Sequence, residues 1–475
     1  MRSLKFLLML CLLLSACHQP NATSANIVFA ISQAPLNLDP RYATDAASER
    51  VNRLLYQRLV EFDSTSKVVA GIANWQMLSP SQYQFQLAEN LPEFHHHKAL
   101  TAQDVKATYD SLLALKDSPH NAEFSNIANI KVLDNKRVVF QLKQSDKHFP
   151  EKLIIGILPQ DLIAQAHDFS RQPVGNGPLK FVSWQSALLL QRISDGLGFK
   201  LIEVKDPTVR VLKLLRGEAD LLQADLPPEL VKYLQSKPNV TVNSNIGVNF
   251  SYLGLNMQDA KLKDIRIRQA IAYAIDRPAI IDKILISHSR LAGAILPPEH
   301  YAGNAHLSAY PYQPVLAKKL LLQAGLSLPL KLVYKTSTDA QRVRIATILQ
   351  AQMAPAGIDL EIRSLDWGTF FEDVKQGKFQ LYGLTWVGIQ TPEIYSKVFG
   401  SESFPPNGFN RGRYSDAVLD DLLQKEDWPA VTQRINAQLP YIPLWYEGQF
   451  AAYSHHIKNY TPQADGNWDG LATLH

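Results

Sequence analysis

The sequence predicts an α/β protein of more than one lobe, and three observations carry that reading. Its 475 residues exceed the span of one typical domain. Strand-like and helix-like segments are interspersed from residue 26 onward. Late in the chain "LKLVYK", "DAQRVRIATILQAQMAPAG", "IDLEIRSL", "WGTFFEDVKQG" and "GKFQLYGLTW" alternate strand, helix, strand, helix, strand, the pattern of an α/β lobe.

Taken in order, "NIVFAI" (26–31) reads as a buried strand. "ASERVNRLLYQRLVEF" (47–62) carries apolar residues at 51, 54, 55, 59 and 60, a helical stripe. "YQFQL" (83–87) alternates, and "TAQDVKATYDSLLAL" (101–115) is a helix with Thr101 as N-cap and Asp104 in its first turn. "IKVLDNKRVVFQL" (130–142) is a hairpin turning at Asp134-Asn135. "GNGPLKFVSW" (175–184) places two glycines before a strand, and "VRVLKLLRG" is a helix. "VTVNS" and "VNFSYLGLN" read as two strands around 240–256. Residues 265–285 are helical, with Pro278 opening a second helix. "PVLAKKLLLQAG" ends on Gly325, a natural C-cap.

The N-terminus is an export signal. Arg2 and Lys5 precede a short apolar run, Phe6 to Leu14, far below the ~20 residues that cross a bilayer. It closes on Leu14-Ser15-Ala16-Cys17, which resembles the lipobox of bacterial lipoproteins. That resemblance implies removal of residues 1–16, lipidation of Cys17, and a polar tether over 17–25. Cys11, the second cysteine, leaves with the signal, so no disulfide can form. The mature chain is close to neutral, and acyl chains rather than a basic patch would hold it to the membrane. His18 after the cysteine points to the outer membrane in a Gram-negative host.

Composition and motifs exclude more than they offer. Basic residues are scattered rather than striped, which argues against nucleic acid. "GNGP" lacks the frame and Lys-Ser/Thr of a phosphate loop. Ser64 and Lys67 make a lone S-x-x-K without companion motifs. His95-His96-His97 and His455-His456 diverge in any extended backbone, so solvated turns are expected and no metal or cofactor is called for. The aromatic residues Trp367, Tyr382, Trp386, Trp445 and Tyr446 cluster in the last third. Core packing accounts for about half of such rings, and the rest, at strand ends, suit a ligand wall.

"LNLDPRYATD", "FHHHKALTAQDVKATYDSL", "GNGPLKFVSW", "LLRGEADLL", "YLGLNMQDAKLKDIRIRQAIAYAIDRPAII", "AKKLLLQAG" and "LDWGTFFEDVKQGKFQLYGLTW" run in order along the mature chain. Together they resemble the family-5 extracellular solute-binding proteins, the peptide/nickel-type binding components of ABC transporters. The resemblance implies a two-lobed, type II-like periplasmic-binding-protein fold in three parts. Lobe I would take 26–45, 170–247 and 449–475, an inserted small domain 46–169, and lobe II 248–448. Hinge crossings would fall near Ile246-Gly247 and Gly448-Gln449. The protein would be a monomer and not an enzyme, and would pass a peptide or peptide-like solute to an inner-membrane permease. A metal chelate, haem or oligosaccharide as ligand, or a sensor without transport, are the alternatives.

The implied ligand wall comprises Thr44, Ala46, Trp367, Tyr382, Gly383, Trp386, Ile389, Gln390, Trp445 and Glu447. Trp367 and Trp386 match the family's pocket tryptophans. Gly383 and Ile389 stand where relatives carry an arginine for a ligand carboxylate and an aspartate for an α-amine. Gly383 is expected to widen the pocket. Asp45, Glu393 and Glu447 are candidates for the missing charge. Two further departures are "FHHHKAL", where relatives commonly have Asp-Gly after the histidine, and the short run before "QLPYIPLWY".

Overall fold

Two long strands decide the architecture. The computed structural model describes residues 26–475 except 64, 225, 286, 287, 406 and 407. The signal, Cys17, the tether and Ser64 lie outside the described residues. In chain order the first strands are β1 (Ile27–Ile31), β2 (Val60–Phe62), β3 (Val68–Ala70), β4 (Ala73–Ser79), β5 (Gln82–Leu87), β6 (Ile127–Val132), β7 (Arg137–Leu142) and β8 (Leu179–Trp184). They continue with β9 (Leu188–Arg192), β10 (Gly198–Glu203), β11 (Leu221–Gln223), β12 (Val240–Leu255), β13 (Arg290–Leu291), β14 (Leu330–Ser337), β15 (Ile358–Leu365), β16 (Leu381–Trp386) and β17 (Tyr441–Ser454).

The main sheet has the order β15-β14-β16-β12-β17-β11-β1-β10-β9-β8, with β13 added on β17. β12 and β17 pair antiparallel from Val240 opposite Ser454 to Gly254 opposite Tyr441. The register breaks between Asn245 and Asn249, which oppose Gln449 and Glu447. The "VTVNS" and "VNFSYLGLN" segments are thus one 16-residue strand with an irregularity, not two strands. Extra residues on one strand of a ladder bend it without ending it. Glycine is required at the bend: a Cβ on Gly247 would sit 1.6 Å from the Glu447 carbonyl oxygen.

Each half of these strands serves a different core. Phe250, Leu253, Leu255, Ile442 and Leu444 join a cluster with Leu332, Leu360, Leu381, Phe370 and Leu349. Ala451 and Tyr453 join Phe29, Leu190, Leu201 and Trp468. A third cluster fills the antiparallel sheet β4-β5-β7-β6, where Phe85, Tyr109 and Phe140 meet edge to face. Its helix, Ala102–Ala114, begins with a capping box between Thr101 and Asp104.

Two boundaries differ from the sequence reading. The helix expected over 47–62 is Ala46–Leu55; Tyr56 turns extended and Val60–Phe62 pairs with Val68–Ala70. That helix and Leu158 and Phe169 pack on β1 and β10, whereas the third cluster spans Leu59 to Ile157. Val51, Leu54 and Leu55, which the sequence reading put in the inserted unit of 46–169, thus bury with β1 and β10 and not with the third cluster. "GNGP" serves that packing: a Cβ on Gly177 would meet the Leu54 carbonyl at 2.3 Å. The 265–285 segment splits into helices Ile265–Tyr273 and Arg277–Ile280, the latter capped by Asp276 with Pro278 in its first turn.

Candidate functional site

Parallel strands bring the chemistry to one edge. β14 runs parallel to β15 and to β16. Their carboxyl ends lead into the loops before helices Ala340–Met353 and Trp367–Gln376 and into residues 387–390. In the other half, β1 is parallel to β10 and β11. Both sets end at the β12–β17 bend: Trp386 opposes Phe250, while Gln223 opposes Ala451 and Ala224 N–H donates to the Phe450 carbonyl. Crevices outside the carboxyl ends of parallel strands are where open α/β sheets bind ligands.

On the lobe II side the edge is aromatic and cationic. Trp386 is partly exposed and stacks on Tyr252 with centroids 6.3 Å apart and planes at 10°. Phe409 lies 5.6 Å away, and the Arg411 guanidinium stands 4.8 Å from the Trp386 ring. Arg411 also lies 5.2 Å from Phe371, which stacks on Trp367 at 5.4 Å and 12°. Trp367 is 52% exposed, and Arg342 stands 5.9 Å from its ring. An Arg342 N–H points at the Gly383 carbonyl, 3.4 Å away. Glu447 Oε1 accepts from Ser251 Oγ at 2.6 Å and Thr385 Oγ1 at 2.9 Å. Asn249, at the bend, accepts from Gly388 N–H at 3.4 Å.

On the lobe I side the edge is sparse. Thr44 and Ala46 are exposed at the start of helix Ala46–Leu55, whose first turn Asp45 caps by accepting from Ser48 N–H at 2.9 Å.

Not every expected residue reaches the crevice. Trp445 is only 2% exposed and belongs to the lobe II core, and Tyr382 is buried there too. Both stand on strands covered on both faces, so position at a strand end did not decide exposure. Gly383 does not widen the site: the Tyr334 hydroxyl fills the space, 2.1 Å from where a Cβ would be. Ile389 is partly buried against the lobe II core, and the Gln390 carbonyl lies 2.9 Å from His300 Nε2. Of the acids considered for charge, Asp45 caps a helix, Glu393 pairs with Lys397 at 3.1 Å, and Glu447 stands on the edge. Arg411, Arg342, Tyr252, Phe371 and Phe409 escaped the sequence reading. "FNRGRY" has no period and no motif, so its place beside Trp386 is purely tertiary.

Two of the clustered histidines are tied into the fold, while His97, His455 and His456 are exposed. His95 Nε2 lies 3.1 Å from the Gly177 carbonyl, and His96 Nε2 lies 3.4 Å from Asp161. Among the described residues no group of three His, Cys, Asp or Glu is arranged to hold a metal ion. A groove of about 820 Å³ bordered by His95, His96, Arg171 and Trp184 lies at the β8 end of the sheet, away from the crevice. No helix of the described residues is long and apolar enough to cross a membrane.

Comparison with known proteins names the architecture. Residues 72–403 match the model of the bacterial extracellular solute-binding proteins, family 5. The chain belongs to that family. This solute-binding protein is 26% identical over 458 residues to di/tripeptide-binding protein 1 of Pseudomonas aeruginosa, covering 85% of this chain and 84% of that one. It is 24% identical over 527 residues to haem-binding protein A of Haemophilus influenzae, covering 96% and 95%. The crystal structure of the ABC transporter substrate-binding protein CtaP from Listeria monocytogenes superimposes with a TM-score of 0.84 at 22% identity, covering 95% of this chain and 99% of that one. The fold is therefore the two-lobed periplasmic-binding-protein fold that the sequence motifs imply.

Proposed function

We propose that this solute-binding protein captures a peptide or peptide-like solute in the crevice and delivers it to an ABC permease in the inner membrane, without turnover. The observation that carries the reading is the convergence of both parallel strand sets on a glycine-relieved bend, with a part-exposed indole at that edge. Rotation about 245–249 and 447–449 closes the lobes, and exclusion of water strengthens contacts to the solute. An ion pair between Arg344 and Glu229 already joins helices from opposite lobes. Trp367, Trp386 and Glu447 form the lobe II wall, with Thr44 and Ala46 facing them. Glu447 is the carboxylate available to a ligand amine, since Ser251 and Thr385 both donate to the same oxygen. Lipid on Cys17 keeps the protein at the envelope as a monomer, on the outer membrane in a Gram-negative host.

The test is mass spectrometry of solute carried through native purification, followed by solution scattering with and without it. A bound peptide and a smaller radius of gyration on loading are expected. Recovery of haem, a metal chelate or a sugar instead would replace the peptide, and an unchanged scattering profile with every solute would remove the closing crevice altogether.

A further inference from the structure

Among the described residues Arg411 is a cation without an anion. It is partly buried between Trp386, Phe371 and Phe409, with ring centres 4.8, 5.2 and 5.9 Å from its guanidinium carbon. A guanidinium carries five N–H donors. One of them donates to the Tyr252 hydroxyl at 3.2 Å, and Tyr382 lies beside it as a second hydroxyl partner. Burial pushes the Tyr382 phenol well above its usual range, so it stays neutral. Among the described residues Arg411 makes no ion pair, and neither does Arg342.

Stacked rings offset part of the desolvation of a guanidinium, but they cannot use its in-plane donors. The nearby acids are committed elsewhere: Asp339 and Asp366 cap the helices that open onto this edge. Arg411 thus bridges Trp386 and Phe371, and Arg342 stands by Trp367 at the far end of the same aromatic edge, both with fork-shaped donor sets that match a carboxylate. A chain with this arrangement and no internal counter-ion is organised for a charge that arrives with the solute.

We propose that Arg411, supported by Arg342, is the anion-binding element of the crevice, and that the solute class is a carboxylate-bearing peptide-like molecule whose apolar body lies on the Trp386–Trp367 wall. This rests on the crevice being the solute site. It replaces position 383, where no side chain is present, as the source of positive charge.

The test is calorimetric titration of Ala-Phe, Ala-Phe-amide, acetyl-Ala-Phe and acetyl-Ala-Phe-amide into the full mature chain. The free acids should bind roughly ten- to hundredfold more tightly than their amides, the range for a charge-assisted bond. Arg411→Gln should bring that ratio to about one, and Arg411→Lys should restore part of it. Arg342→Gln, at a part-exposed residue, should reduce the ratio less. Equal binding of acids and amides to the unsubstituted protein, or a ratio unchanged in Arg411→Gln, overturns the proposal while leaving the crevice in place. Binding that survives Trp386→Ala undiminished for all four removes the crevice as the site, and absence of binding by all four overturns both.

Discussion

The two edges of the crevice are built differently. Lobe II presents Trp386, Trp367, Phe371, Phe409 and two guanidiniums set against these rings, with Trp386 stacked on Tyr252 and Trp367 on Phe371. Lobe I presents Thr44 and Ala46 at a helix start already capped by Asp45. Rings with few rotatable bonds lose little entropy when they trap a solute, whereas a capped helix end has few free groups to offer. Under the proposed function, this difference would assign affinity to lobe II and closure to lobe I.

The bend that joins the edges gives the largest expected effect. Gly247→Val drives its side chain into the Glu447 carbonyl, a backbone atom that cannot step aside. A loss of about 3 kcal/mol or more is expected by urea denaturation, with the scattering difference between free and loaded protein abolished. A stable variant that still compacts would detach closure from the bend.

Next, Trp386→Ala should weaken solute binding by about 2–4 kcal/mol, whereas Thr44→Ala should change it by under about 1 kcal/mol. Calorimetry on the two variants measures the asymmetry directly, and equal losses would erase it.

The smallest effect concerns the contact of the inserted unit with lobe II. His148 Nδ1 lies 2.8 Å from Glu151 and Nε2 lies 3.0 Å from Glu426. The Glu151 carboxylate first, and Glu426 with it, push its pKa up to about 9 despite opposing desolvation. A raised imidazole pKa means stability fully present below about 6.5 and lost as pH climbs through about 9. His148 is about one-third exposed, so solvent screens the gain. Melting temperature should fall by about 1 °C more between pH 7 and 10 in the unsubstituted protein than in His148→Gln. Parallel pH profiles would show that the inserted unit does not use this contact.

Much of the fold was legible in residues. The alternation from Leu330 to Trp386 is the β14–β15–β16 lobe, Thr101 and Asp104 form the expected cap, and Gly325 follows its helix with φ of 80°. Local patterns failed where tertiary contacts chose. The stripe over 47–62 stops at Leu55 because Val60–Phe62 finds a partner in β3. Trp445 and Trp386 read alike as strand indoles, yet β17 is covered on both faces at Trp445 while β16 ends in the open at Trp386. Arg411 lies in a loop whose destination no period encodes.

The bend in β12 is also splinted from outside. Val248 N–H donates to the Ala464 carbonyl, Asn245 to that of Pro462, and Asn243 to that of Tyr460. Residues 460–464, beyond the end of β17, thus tie the kinked part of β12 to a third stretch of chain besides its two ladder partners, so a change there reaches the bend without touching either neighbouring strand.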